Sequence, residues 1–115
     1  METLILASAS KARSQILSSA GVKFRTQISN VDETAIKEDL KTTPTGELAL
    51  KLAVLKAKKV ANLNKDALVI GADQVLECEG TLYDKPNTRA AASCHLKALR
   101  GKTHRLISSV CVVCN

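Results

Sequence analysis

Aromatic side chains are nearly absent from this chain. Tryptophan does not occur, and Phe24 and Tyr83 are the two aromatic residues present. Without a row of π faces there is no platform on which successive bases could stack, so nucleic acid is disfavoured as a partner. The core must be built from Leu, Ile, Val and Ala instead. Long hydrophobic runs are missing too: Leu4 to Leu6 is far too short for a signal peptide or a membrane span, and Glu2 stands where a secretory leader carries cations. A cytoplasmic protein with no membrane partner is expected.

Cysteine is present but not in a metal-binding pattern. In a reducing compartment disulfides are rare, and Cys78 with Cys94 does not supply a second pair for a zinc site with Cys111 and Cys114. The "CVVC" at the end follows "LISSV" and reads as a buried strand rather than a redox turn, so buried, unpaired thiols are expected. His95 and His104 lack a ligand spacing, and neither GxSxG nor HExxH occurs. "RGKT" at 100–103 resembles the end of a P-loop, but that motif needs glycine at position 96, where this chain has Leu96. Glycine and proline number five and two, and no repeat, linker or low-complexity tract divides the chain, so 1–115 reads as a single domain.

What is present is a chain of 115 residues, 45% hydrophobic, with a formal net charge of +6. That composition supports a modest globular core, and the charge favours anionic partners. The elements alternate. "TLILAS" reads as a short buried strand, and Ala12, Ile16, Leu17 and Ala20 then repeat at helical spacing, with Ser10 placed to cap and Gly21 to stop the helix. Residues 22–31 read as a second strand, followed by an acidic stretch and a Thr/Pro loop. Residues 47–63 form a strong helix in which Leu48, Ala49, Leu52, Leu55 and Val60 share one broad face, with Lys56 among them. "ALVIGADQVLEC" is an apolar strand, "EGT" a turn, 87–101 a capped helix and 104–114 a final strand. The expected fold class is α/β, a mixed twisted sheet with flanking helices.

Two features carry chemistry. A helix start offers unpaired N–H groups and a partial positive charge, and here Ser8, Ser10 and Arg13 would surround it, a cradle for phosphate to which Lys56 and Lys85 could add charge. Asp73 sits inside an apolar run, where a carboxylate is costly unless paired or working. Glu33 and Asp73 are the carboxylates suited to hold Mg²⁺ or Mn²⁺ against a polyphosphate. The bland reading of Lys56 is a packed stem with its ammonium in water.

"LASASKARSQIL", "VDE", "LKAKKVA", "GADQV" and "DKP" followed by "LKALRGKTHRLISSV" together resemble the successive motifs of the Maf family of nucleoside triphosphate pyrophosphatases. The resemblance implies a fold like that of inosine triphosphate pyrophosphatases, and hydrolysis of non-standard nucleoside triphosphates to the monophosphate and pyrophosphate with a divalent metal. Ser8, Ser10, Arg13, Lys56 and Lys85 match its substrate-binding positions, Glu33 its acidic residue and Asp73 its general base and metal carboxylate. Gln74 matches the 7-methyl-GTP pyrophosphatase-like branch, whereas Lys11 and Ala12 depart from the family pattern where base specificity is expressed. Family members are typically longer, so this chain is expected to be the N-terminal portion, with the second lobe incomplete and the sheet exposed at its end. The resemblance also allows a homodimer. The alternative is an impaired fragment that binds phosphates or acts as an interaction module.

Overall fold

The structure, a computed structural model, describes residues 3–114; Glu2, invoked above against a secretory leader, and Asn115 lie outside the described residues. Nine elements follow in the order β1 (Leu4–Leu6), α1 (Lys11–Ser19), β2 (Arg25–Thr26), α2 (Glu33–Asp39), α3 (Thr45–Leu63), β3 (Leu68–Cys78), β4 (Thr81–Tyr83), α4 (Arg89–Leu99) and β5 (His104–Cys114). The fold is α/β with a mixed, open five-stranded sheet.

β3 organises that sheet. β5 runs antiparallel to it over its whole length, from Leu68 opposite Cys114 to Cys78 opposite His104. The other edge of β3 is shared: β1 pairs parallel with Leu68 to Ile70, and β4 pairs antiparallel with Leu76 to Cys78. Between those two partners the edge at 71–75 is left open among the described residues, and Asp73 lies in that gap. The β3–β4 hairpin turns on Glu79 and Gly80, both at positive φ (51° and 81°), the backbone a two-residue type I′ turn requires.

α3 covers one face of the sheet. Ala49, Ala53, Ala57 and Ala61 recur every four residues and are all buried, a ridge of small side chains that lets the helix lie close on β3. The approach is tight at Gly71: a Cβ there would stand 2.1 Å from the Ala53 carbonyl oxygen and 2.7 Å from the Ala57 Cβ. The adjoining core contains Ile5, Ala7, Val60, Ala67 and Val69, with Cys111 and Val113 packed against it.

Several sequence expectations are corrected. The strand at 22–31 contracts to Arg25–Thr26, and the acidic stretch after it forms α2, capped by the Asp32 side chain on the Ala35 amide at 3.1 Å. Leu55 is 41% exposed, because its direction on α3 misses the sheet and the alanine ridge fills the contact instead. α1 buries no residue, and Ile16 is exposed. β5 is half-exposed rather than buried: Leu106, Val110 and Val112 point from its uncovered face. The thiols are free but not all buried. Cys78 is buried, Cys111 half-buried, and Cys94 and Cys114 exposed. Burial, partly offset by a backbone hydrogen bond at Gly71, raises the Cys111 thiol pKa. Three residues apart on a strand, Cys111 and Cys114 point to opposite faces, about 10 Å apart, which excludes a disulfide between them.

Candidate active site

The first strand, turn and helix build an anion-ready loop from local hydrogen bonds. The Ala7 amide donates to the Ile70 carbonyl at 2.9 Å, so β1 leaves the sheet just before Ser8, near the level where β3 runs on to Asp73. Ser8 Oγ accepts from the Ser10 amide and from Arg13 Nη1, each at 3.1 Å. Ser10 Oγ caps α1 by accepting from the Arg13 amide at 3.2 Å. These bonds aim the Arg13 guanidinium back at the loop and leave the Ser8 hydroxyl proton as a donor. Ser8, Ser10, Ser14 and Thr26 line an open cavity of about 470 Å³ with Ala9, Lys11, Gln15 and Ile28. The carboxylate cluster lies outside that lining.

In the cluster, Lys56 reaches from α3 to two carboxylates. Its Nζ donates to Asp73 Oδ1 at 2.8 Å and also pairs with Glu33 Oε1 at the start of α2. The Lys56 and Asp73 side chains are 11% and 9% exposed, so the ammonium is not a solvated head on a packed stem. A lysine beside Leu52 on the buried side of α3 is tolerated because both charges it meets are opposite to its own. Asp73 Oδ2 is buried and has no hydrogen-bond partner. A buried carboxylate oxygen without a partner is an exception in folded proteins, and a catalytic role is one of the causes that account for it.

The remaining predicted residues are placed differently. Gln74 follows Asp73 on β3, so it points to the other face of the sheet, where it is exposed. Ala12 is exposed on α1, and Lys85 is exposed in the turn after β4. Sequence reasoning missed Lys37. It lies one helical turn beyond Glu33 on α2 and pairs with Asp84, beside Lys85, at 2.9 Å. Desolvation works against the Lys37 charge, but the hydrogen bond and charge of Asp84, with the fields of Asp73 and Glu33, outweigh it and raise its pKa above the ordinary value. The i, i+4 spacing from Glu33 was the available signal.

Among the described residues no group of three or more His, Cys, Asp or Glu side chains is poised to hold a metal ion. Two carboxylates suit Mg²⁺ or Mn²⁺ only when further oxygens come with the ligand, the usual arrangement for Mg²⁺ on a polyphosphate. The unpartnered Asp73 Oδ2 fits that requirement.

An open mixed sheet, a hydroxyl-lined helix start and a lysine-bridged carboxylate pair at a gap in the central strand define the class: an α/β protein with its polar site at a break in strand pairing. The chain belongs to the Maf family, whose pattern, described as Maf-like protein, matches residues 3–115. Relatives include a nucleoside triphosphate pyrophosphatase of Nitrobacter winogradskyi, 46% identical over 97% of this chain and 55% of its own length. A Pelagibacter ubique protein of the same name is 45% identical, covering 97% of this chain and 58% of the relative. A 7-methyl-GTP pyrophosphatase of Rhizobium meliloti is 41% identical, covering 97% and 57%. The chain thus spans a little over half the length of the curated relatives it matches.

Proposed function

We propose that this chain carries the catalytic groups of a nucleoside triphosphate pyrophosphatase acting on non-standard nucleotides, with 7-methyl-GTP as a candidate substrate. The observation that carries the reading is Asp73: buried, fixed at Oδ1 by Lys56, and unpartnered at Oδ2. The names of the relatives support the reaction class.

In this reading the triphosphate lies along the α1 start, where the Ser8 and Ser10 hydroxyls and the Arg13 guanidinium take phosphoryl oxygens. Asp73 Oδ2 accepts a proton from water. The water oxygen bonds to the α-phosphorus, the bond to the bridging oxygen breaks, and pyrophosphate leaves with the electron pair. Lys56 holds Asp73 in orientation, and Lys85 adds charge near the leaving group. Glu33 and Asp73 are the residues that would hold a divalent cation, Mg²⁺ or Mn²⁺, which when bound supplies Lewis acidity at phosphoryl oxygens. Ala12 and Gln74 are the positions we assign to base specificity. The proposal places the protein in the cytoplasm as one Maf-like domain, with a homodimer allowed.

A second reading is favoured by one observation. Leu106, Val110 and Val112 present an apolar face on β5, which suits an interaction module. Among the described residues no helix is long and apolar enough to cross a membrane. Product analysis separates the two readings: the first requires monophosphate and pyrophosphate in equal amounts, the second requires binding without either product.

A further inference from the structure

Lys56 is engaged by two carboxylates, and the Arg13 guanidinium is turned onto Ser8. A polyphosphate entering this site needs another cation nearby. Lys37 meets the description. It shares a face of α2 with Glu33 by its i, i+4 spacing, and Asp73 and Glu33 both act on its charge. Its present partner is Asp84 at 2.9 Å, with the two side chains 28% and 79% exposed. The lysine is thus largely covered while the aspartate is largely in water.

We propose that Lys37 is a further polyphosphate-binding residue, and that Asp84 is a stand-in anion which holds its ammonium in place until phosphate replaces it. This rests on the pyrophosphatase reading above. The exchange is favourable in charge and solvation. An ion pair with one partner largely in water contributes little, and Asp84 returns to solvent at little cost. A phosphoryl oxygen offers a stronger, charge-assisted hydrogen bond to the same ammonium. Release of Asp84 also frees the turn that bears Lys85, which lets the two lysines act on one ligand.

The test is calorimetric binding of inorganic tripolyphosphate to the 115-residue chain without metal, with folding checked by circular dichroism. Lys37→Met should weaken binding about tenfold. Asp84→Asn should tighten it about two- to fivefold, because the competitor loses its charge. Lys58→Met, which removes one exposed positive charge elsewhere on α3, should change it little. Equal weakening by Lys37→Met and Lys58→Met would reduce the effect to net charge and overturn the proposal. So would weakening by Asp84→Asn, which would make the pair a structural tie. If the parent chain binds and Arg13→Met weakens it while Lys37→Met does not, the Lys37 assignment alone fails. No binding by the folded parent chain, either without metal or after Mg²⁺ is added, would overturn the pyrophosphatase reading with it.

Discussion

Replacing Lys56 with methionine keeps the stem and removes the ammonium. Asp73 Oδ1 then loses its 2.8 Å partner while Oδ2 has none, and Glu33 remains beside it with the same sign of charge. Stripping a buried charge of its partner costs about 3–5 kcal/mol. Glu33, at 41% exposed, is reached by water, so roughly 2–4 kcal/mol is expected for Lys56→Met. In a domain of this size each kcal/mol moves the midpoint by about 3–6 °C, giving a drop of about 6–24 °C in thermal unfolding. The double variant Lys56→Met/Asp73→Asn puts a neutral amide beside the methionine. Its loss should therefore be smaller than the sum of the single losses by about 1 kcal/mol or more. A Lys56→Met chain that melts with the parent, and a cycle that adds without coupling, would refute the buried pairing and restore a solvated lysine.

Two further outcomes follow from the packing. Gly71→Ala sets a methyl 2.1 Å from the Ala53 carbonyl, so α3 must retreat by roughly an ångström; overpacking of this kind costs about 1–3 kcal/mol or more. Urea titration should show it as a lower midpoint, and an unchanged midpoint would contradict the close approach. Glu77 is held below the ordinary carboxylate pKa by a hydrogen bond from Thr45 and another from Arg105, against desolvation and with the Arg105 charge assisting. Because the folded pKa is depressed, its contribution is present above the ordinary value of 4.5 and is lost as pH falls through the lower folded value. The stability difference between the parent and Glu77→Gln should be present at pH 7 and shrink below about pH 4; a constant gap would contradict the linkage.

The parts of the fold legible in the sequence are those set by neighbours in the chain. Ser10 and Gly21 bracket α1 through local bonds, and the apolar run of β3 with Asp73 inside it is visible without any partner. Contacts between distant segments are not written in periodicity. Lys56 and Asp73 are both conspicuous, but their joining depends on α3 lying close on β3, which rests on Gly71 and an alanine ridge that the larger leucines mask. α2 is short and buries no residue, so its helical signal was confined to Asp32 and the charges that follow. That is why Glu33 could be named as a carboxylate while its pairing with Lys56, and the Lys37 link to Asp84 across 47 positions, could not. β2 shrank because its exposed Arg25 and Thr26 bury no side chain that would extend the pairing.

The central claim is that Asp73 is the base of a pyrophosphatase site. Its most direct test is pyrophosphate release by the purified chain with Mg²⁺ or Mn²⁺, over standard triphosphates and 7-methyl-GTP, beside Asp73→Asn. Release should fall by about a hundredfold or more in the variant, with tripolyphosphate binding largely kept and the chain still folded at the assay temperature. Release that Asp73→Asn leaves intact, or a folded parent chain that binds triphosphate and releases nothing, would contradict it.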